Sequence, residues 1–374
     1  MRASRLEAAV RKLLEHTDIR INGNNRWDIQ VHNNRFYKRA VGEAELGIGE
    51  SYMDGWWDCE EIDTLICKLL RSGLQDAVKR DWSILWPIAL AAIFNRQNKR
   101  RAQKDVGGHY SLGNDLFQKM LDPLMLYTCG YWNNAASLQQ AQINKLELIC
   151  RKLELKPGMR VLDIGCGWGG FGKYAAQNHG VSVVGVTVSK EQMALGQELC
   201  QGLPVEFLLS DFRQLNERFD RVVAIGMIEH IGYKNYRTFM KVVHRCLDDD
   251  GLFLLHTIGE IRSVTVTDPW TEKYIFPGSM LPSIKQLGQA TENLFVMEDW
   301  HNFGADYDKT LMAWYANFER SWNSLKRNYD DRFFRMWKYF LLSTAGSFRA
   351  RRNQLWQIVF SNRGVIGGYQ SYRL

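Results

Sequence analysis

A buried strand that runs directly into a glycine-rich loop constrains this chain more than any other part of its sequence. Residues 161–170 read VLDIGCGWGG, an apolar run that ends in closely spaced glycines. Gly165 and Gly167 have no side chain, so the backbone there can approach a bound ligand closely. The pattern is typical of the first strand and turn of an open α/β sheet that binds a small molecule.

Strand-like runs alternate with helical runs from residue 160 onward, which predicts a doubly wound α/β fold with a mostly parallel sheet. Two later runs, with a helical segment at 310–325 between them, could complete the sheet. The predicted strands are residues 160–165, 181–187, 205–210, 221–226, 251–258, 295–303 and 355–361.

The first hundred residues lack this alternation and are mainly helical in pattern. We therefore predict a smaller N-terminal domain over residues 1–100, which docks on lipid or membrane, and a catalytic domain over residues 101–374. The apolar run 82–94 is followed by a basic run at 95–104, a combination that suits a membrane surface. A core helix followed by a solvated basic linker explains the same pattern equally well.

Charge and cysteine content narrow the class of protein. The chain has 48 Lys and Arg residues against 41 Asp and Glu residues, and its formal charge of +7 favours a polyanionic partner, either nucleic acid or an anionic membrane. Its seven cysteines are scattered, so we expect reduced thiols and no metal site. Residues 1–16 predict an amphipathic helix rather than a signal peptide, and no run reaches the roughly 20 apolar residues of a membrane span. We expect a cytoplasmic protein.

The acidic residue before the glycines sharpens the prediction of the ligand. Glycine-rich turns also bind dinucleotides, but Asp-Ile-Gly-Cys-Gly at 163–167 resembles motif I of class I methyltransferases, which implies S-adenosylmethionine as the cofactor. The second strand ends without the usual acidic residue for the ribose, so we expect Thr187 and Gln192 to replace it. Asp211 and Phe212 follow the third strand and are expected to bind adenine. An ordinary helix cap is the alternative for Asp211.

The residues after the fourth and fifth strands indicate the kind of acceptor. The sequence has neither the Asn/Asp-Pro-Pro-aromatic motif of nucleic-acid amino methyltransferases nor the Pro-Cys nucleophile of cytosine-carbon enzymes. Instead, Glu229 and His230 follow the fourth strand and His256 lies in the fifth, at the sheet edge where ligands bind in open α/β folds. His256 is a candidate base or anion partner, and a histidine satisfied inside the core is the alternative.

Seven short segments together resemble one family over essentially the whole chain. Besides the glycine-rich loop they are residues 46–57 (LGIGESYMDGWW), 109–117 (HYSLGNDLF), 127–132 (YTCGYW), 225–230 (IGMIEH), 256–259 (HTIG) and 301–307 (HNFGADY). With these segments the chain resembles the cyclopropane-fatty-acyl-phospholipid synthases, sister enzymes of the mycolic acid cyclopropane synthases. The resemblance implies transfer of a methylene group from S-adenosylmethionine to the cis double bond of an unsaturated phospholipid acyl chain.

The resemblance also implies the residues of the site and the partners. A bicarbonate ion is expected to act as the base, held by Cys129, Glu229, His256, Ile258 and Tyr307. The cofactor is expected at Tyr127, Thr128, Gly165, Gly167, Thr187, Gln192, Asp211 and Phe212, with Thr128 where relatives often have serine. A homodimer that associates peripherally with the membrane surface, and that has no nucleic-acid partner, is implied as well.

The chemistry of an isolated alkene explains these residue types. Methylating so weak a nucleophile needs proximity in a dry site, and it gives a carbocation that water would trap. A fixed anion stabilises that charge and removes a proton. Glu229 would orient the anion through its own proton, while His256, the amide near Ile258 and the Tyr307 hydroxyl can donate hydrogen bonds to it. Covalent attack by Cys129 is disfavoured because the alkene offers no electrophilic carbon.

Two other functions are alternatives. The first is a fatty-acid methyltransferase that adds a branch without ring closure, which would share the fold and the carbocation. The second is a protein whose basic surface binds polyanions, with an affinity that falls steeply as salt rises.

Overall fold

The computed structural model describes residues 2–73 and 112–373. Contacts divide the chain into two compact units, each made of separate stretches of sequence. The helical unit comprises Met1–Met120, Thr267–Pro277 and Leu311–Arg352, and the sheet unit comprises Leu121–Val266, Gly278–Thr310 and Asn353–Leu374. The apolar run 82–94, the basic run 95–104 and the domain boundary after residue 100 lie outside the described residues. The division into residues 1–100 and 101–374 therefore stays a prediction.

Helices and strands follow one another along the chain in this order: α1 (Arg2–Leu14), β1 (Gln30–Val31), α2 (Arg35–Met53), β2 (Trp57–Asp58), α3 (Ile62–Arg71), α4 (Asn114–Met120), α5 (Leu138–Lys152), β3 (Arg160–Ile164), α6 (Gly170–His179), β4 (Ser182–Thr187), α7 (Lys190–Leu199), β5 (Val205–Leu209), β6 (Phe219–Ile225), α8 (Tyr236–Cys246), β7 (Leu247–Glu260), α9 (Pro269–Tyr274), α10 (Ile284–Thr291), β8 (Val296–Asn302), α11 (Ala305–Leu325), α12 (Asp331–Arg349) and β9 (Asn353–Ser361). Over residues 2–73 and 112–373, no helix has the length and apolar character needed to cross a membrane.

The helical unit is built around α12, which packs on α2 and α3. Aromatic side chains fill much of this contact, since the ring of Tyr52 lies 5.0 Å from that of Trp57 and 5.5 Å from that of Tyr339. Close approach of α12 to α3 requires a glycine, because a Cβ at Gly346 would lie 2.4 Å from the Asp63 carbonyl oxygen. The amphipathic N-terminal helix predicted from the sequence is confirmed as α1.

The sheet unit contains a seven-stranded sheet in the order β5-β4-β3-β6-β7-β9-β8. The pairs from β5 to β7 are all parallel, whereas β9 runs antiparallel to both of its neighbours. This confirms the predicted seven-stranded, mostly parallel α/β sheet, including its completion by the two late strands. Helices of the sheet unit begin at well-formed caps: Ser137, Ser189 and Ser283 each accept a backbone N–H in the first turn.

The carboxyl ends of three neighbouring strands meet at one edge of this sheet, because β3, β6 and β7 are parallel and adjacent. The glycine-rich loop follows β3, and the turn that carries Glu229 follows β6. His256 and Ile258 lie in the last part of β7. The backbone N–H of Gly226 donates to the carbonyl oxygen of His256 at 2.8 Å, which ties the end of β6 to β7. The topology therefore brings the predicted site residues of three separate segments to one edge.

Candidate active site

The glycine-rich loop adopts a backbone conformation that side chains rarely allow. Gly165 has a φ of +82° and Gly167 a φ of +56°. A Cβ at Gly165 would lie 2.7 Å from the side chain of Met227, so this glycine is needed for close packing. Gly167 instead faces open space, with no described atom within 4 Å of a Cβ built there. Its backbone is therefore accessible to a ligand.

The predicted ribose and adenine residues lie at the ends of β4 and β5. Thr187 Oγ1 donates to Gln192 Oε1 at 3.0 Å, so these two residues act as one polar pair. Asp211 accepts from the backbone N–H and the guanidinium of Arg213, as a helix cap does. The Arg213 hydrogen bonds lower the pKa of Asp211 to about 2. The ring of Phe212 is buried against Phe239, with the ring centres 5.5 Å apart.

The segment with Tyr127, Thr128 and Cys129 is held from one side by α5. Gln142 Nε2 donates to the Thr128 carbonyl oxygen at 2.8 Å, and Lys145 Nζ donates to Thr128 Oγ1 at 2.9 Å. Cys129 is fully buried, and burial raises the pKa of its thiol well above the ordinary value. Cys129 is therefore a neutral thiol, which agrees with the argument against a covalent nucleophile.

Glu229 is the most constrained carboxyl group of the site. It lies in a short 3₁₀ helix, Ile228–His230, and its Oε1 accepts from the backbone N–H of Ile258 at 2.8 Å. Its Oε2 is buried and has no hydrogen-bond partner among the described residues. Burial raises the pKa of Glu229 to about 7, so a protonated carboxyl group is accessible near neutral pH. The Ile258 amide, which the resemblance implies for the anion, donates to Glu229 in this structure. His230 lies on the exposed side of the same turn.

His256 is buried and neutral. Burial, together with the positive charges of Lys145 and Lys152, holds the pKa of His256 well below its ordinary value. Gln357 Nε2 lies 3.3 Å from His256 Nδ1, and an amide nitrogen can only donate, so Nδ1 accepts and the ring proton sits on Nε2. That Nε2 is buried without a hydrogen-bond partner among the described residues. It is a donor that is available to a ligand.

Tyr307 connects these groups. It lies in the first turn of α11, and burial raises the pKa of its hydroxyl well above the ordinary value. Electrostatic interaction with the ionisable groups of Cys129, Tyr127 and Glu229 also raises that pKa, which indicates that Tyr307 lies near them. The positive charge of Lys145 lowers the pKa values of both Cys129 and His256. Two contacts tie parts of this group together: the Ile258 amide donates to Glu229, and Thr310, three residues after Tyr307 on α11, has its Oγ1 3.8 Å from Cys129 Sγ.

Several polar side chains that were not predicted from the sequence form hydrogen bonds with residues 128–132. Thr310 Oγ1 accepts from the backbone N–H of Gly130 at 3.1 Å and from Trp132 Nε1 at 2.9 Å. Gln142 and Lys145 lie three residues apart on α5 and are both buried. Polar residues at the helical spacing of apolar ones in 138–152 were the signal that could have revealed Gln142 and Lys145.

Comparisons with known proteins establish the family of this chain. Residues 97–358 match the model of the mycolic acid cyclopropane synthetase family. The cyclopropane-fatty-acyl-phospholipid synthase of Escherichia coli strain K12 is 54% identical over 97% of this chain and 94% of that protein. The cyclopropane synthase MmaA2 from Mycobacterium tuberculosis has a TM-score of 0.63 and 30% identity, and the match covers 69% of this chain and 97% of that one.

A further structure, the mycolic acid cyclopropane synthase CmaA1 complexed with SAH and CTAB, has a TM-score of 0.63 and 32% identity. It covers 69% of this chain and 97% of that one. These matches confirm the predicted class I methyltransferase fold. The chain therefore belongs to the mycolic acid cyclopropane synthetase family and is an enzyme of the class I S-adenosylmethionine-dependent methyltransferase type.

Proposed function

We propose that this chain acts as a cyclopropane-fatty-acyl-phospholipid synthase. It would transfer a methylene group from S-adenosylmethionine to the cis double bond of an unsaturated phospholipid acyl chain, through a methylated carbocation. The observation that carries the proposal is the state of Glu229. It is buried with Tyr307 and Cys129, held at one oxygen by the Ile258 amide, and unpartnered at the other oxygen among the described residues.

The donor set suits a small anion such as bicarbonate. His256 Nε2 and Glu229 Oε2 are buried polar atoms that lack partners among the described residues. Bound bicarbonate would supply the base that removes the proton from the added methyl group. Three groups around it would each donate a hydrogen bond: the protonated carboxyl of Glu229, the Nε2–H of neutral His256 and the hydroxyl of Tyr307. Each of them carries its proton at or close to neutral pH. The Cys129 thiol, whose proton goes to the Gly130 carbonyl oxygen at 3.1 Å, would line the anion position without attacking the substrate.

S-adenosylmethionine is the proposed methyl donor, and the solved CmaA1 structure contains the related SAH. Gly167 supports this proposal because its backbone is open to a ligand. The Thr187 and Gln192 pair offers hydroxyl and amide groups for the ribose. The remaining proposed contacts are those of Tyr127, Thr128, Gly165, Asp211 and Phe212.

An apolar rim at the carboxyl edge of the sheet supports peripheral contact with a membrane. We define the rim as Ile261, Val266 and Ile284, whose side chains are 56%, 72% and 60% exposed. The two segments that carry it are joined by a 2.7 Å hydrogen bond between the hydroxyls of Ser263 and Ser283.

Two exposed cations, Arg262 and Lys285, lie next to the rim residues in sequence. Apolar side chains flanked by cations fit an anionic phospholipid surface. The rim begins three residues after Ile258, close to where the acyl chain would react. We therefore propose the rim as one membrane contact of the chain.

Replacing the rim with polar residues should weaken membrane binding. We expect the triple variant Ile261→Ser, Val266→Ser, Ile284→Ser to bind anionic phospholipid vesicles about 30-fold more weakly in co-sedimentation, since three exposed apolar side chains no longer enter the bilayer. A matched control is Val296→Ser with Met297→Ser, which are 45% and 54% exposed at the start of β8, the opposite end of the sheet. Equal losses in both variants would remove the rim from the proposal.

The activity itself is tested with purified protein, vesicles of unsaturated phospholipid and labelled S-adenosylmethionine. We expect label in ring-containing acyl chains. Label in methyl branches alone would favour the fatty-acid methyltransferase. Glu229→Gln should lower turnover by at least about a thousandfold, because its amide cannot share a proton with the anion, while binding of S-adenosylhomocysteine persists.

We also propose a homodimer with a cytoplasmic location, on the family resemblance alone. Light scattering on the full chain would measure the dimer directly. A single mass equal to one chain at micromolar concentration would rule it out.

A further inference from the structure

Lys145 has no role in the proposed chemistry, although it is a fully buried cation within the candidate site. It projects from α5, and its ammonium group donates to Thr128 Oγ1 at 2.9 Å. Burying a lysine is costly unless its charge is compensated and its protons are used. The groups that face it therefore indicate what it does.

Charged and titratable groups face Lys145 from four parts of the sheet unit. Asp122 precedes the Tyr127–Cys129 segment, and its carboxylate accepts from the backbone N–H groups of Leu124 and Leu126. Asp163 lies on β3 just before the glycine-rich loop. Cys129 and His256 complete the set, since the charge of Lys145 acts on both. One cation thus borders the proposed cofactor loop and the proposed anion position.

The hydrogen bond from Lys145 to Thr128 restricts where the hydroxyl proton of Thr128 can point. An ammonium group can only donate, so Thr128 Oγ1 must accept from it. The single hydroxyl proton of Thr128 then points away from Lys145. Among the described residues, Thr128 Oγ1 donates to none, which leaves this proton for a ligand.

We propose that Lys145 is a positioning residue for cofactor binding: it holds the Thr128 hydroxyl ready to donate to the cofactor, and its charge balances Asp122 and Asp163 beneath the site. The proposal rests on the proposed function, in which Thr128 contacts the cofactor. Without the cation, the Thr128 hydroxyl loses the donor that orients it, and the charged forms of Asp122 and Asp163 lose a stabilising interaction.

A pH dependence follows from the same geometry. Burial lowers the pKa of Lys145 to about 8, although Asp122, Cys129 and Asp163 favour its charged form. Cys129 titrates far above this range and His256 far below it, while burial raises the pKa of Asp163 to about 7. As pH rises through about 8, Lys145 loses its charge, and the affinity of the protein for S-adenosylhomocysteine should fall.

The test measures binding of S-adenosylhomocysteine to the full chain by calorimetry, with no lipid present. We expect Lys145→Met and Thr128→Val each to raise the Kd about tenfold, the loss of one charge-assisted hydrogen bond. The effects should be less than additive in the double variant, because Lys145→Met and Thr128→Val both disrupt the contact between Thr128 and the cofactor. Thr128→Ser should bind like the parent, and the fall in affinity above pH 8 should vanish in Lys145→Met.

Lys152→Met is the matched control, because Lys152 is equally buried on the same helix but pairs with Asp299 at 3.5 Å. Both lysine variants should lower the Tm, whereas only Lys145→Met should raise the Kd. The proposal is overturned by an unchanged Kd in Lys145→Met, by additive effects in the double variant, or by an equal rise in Lys152→Met. If Lys145→Met does not fold, Thr128→Val against Thr128→Ser and the pH dependence of the parent carry the same test. Failure of the vesicle assay would instead count against the proposed function and leave these binding results intact.

Discussion

Burial sets the protonation of single side chains in the candidate site. The pKa values of Glu229 and Asp163 rise to about 7 from ordinary values near 4, while that of Lys145 falls to about 8. In each case the charged form loses hydration that the protein does not fully replace. Three groups can therefore change protonation near neutral pH. In solution none of them would do so.

The raised pKa of Glu229 predicts a pH-dependent change in stability. Between its unfolded pKa near 4.5 and its folded pKa near 7, the folded state keeps a proton that the unfolded state releases. Stability from this group is thus present at low pH and is lost as pH rises to 7. Glu229→Gln should remove that loss, so its free energy of unfolding relative to the parent should improve by roughly 3 kcal/mol from pH 4.5 to pH 8.

Urea unfolding of both proteins at the two pH values measures this difference. Glu217→Gln serves as the control, because Glu217 is exposed and pairs with Arg160 at the surface. Parallel pH profiles for Glu229→Gln and the parent would contradict a raised pKa.

At the scale of elements, the first two turns of α11 order the segment that follows Cys129. Thr310 Oγ1 accepts from the backbone N–H of Gly130 and from Trp132 Nε1, and the carboxylate of Asp306 accepts from the Trp132 backbone N–H at 2.8 Å. The first turn also carries Tyr307 into the anion cluster. The start of α11 therefore carries Tyr307, a proposed contact of the anion, and also holds residues 130–132 in place.

Thr310→Val tests this arrangement, because it keeps the shape of the side chain and removes the acceptor. Two buried donors would lose their partner, so we expect the free energy of unfolding to fall by about 2 kcal/mol. Thr310→Ser keeps the hydroxyl and should recover most of the loss. Urea unfolding followed by tryptophan fluorescence is the measurement, and equal effects of valine and serine would contradict a role for the hydroxyl.

At the scale of the whole molecule, neither compact unit is a continuous stretch of chain. Within the helical unit, α12 packs on α2 and α3 although more than 250 residues separate them in sequence. The Tyr339 ring on α12 lies against Tyr52, and Arg335 donates to the Tyr52 carbonyl oxygen. A cut after residue 100 would therefore remove partners that α12 needs.

A fragment of residues 101–374 should expose the apolar face of α12 and aggregate. Co-expression with residues 1–100 should restore solubility, because the missing α2 and α3 are supplied. Static light scattering of the fragment alone and of the pair measures the effect. A monodisperse, cooperatively unfolding fragment would show that α12 does not depend on the N-terminal helices.

The sequence by itself determined the features that depend on local pattern. Alternating strand and helix periods located the seven strands of the large sheet to within a few residues, but not the short strands β1 and β2. The glycine spacing at 165 and 167 located the loop, because side-chain periodicity and glycine backbone freedom act over short stretches. The family resemblance implied the site residues, and the order of the parallel strands places those that follow β3 and β6 or lie on β7 at one edge of the sheet.

Only the tertiary structure decided the roles that depend on distant contacts. The Ile258 amide donates a hydrogen bond to Glu229, and Lys145 donates one to Thr128. The side-chain amide of Gln357 donates to Nδ1 of His256, which leaves the ring proton on Nε2. In the same way, α12 joins the helices at the start of the chain. Burial and hydrogen bonding between residues far apart in sequence exist only in the folded chain, and they set pKa values and proton positions that no local pattern encodes.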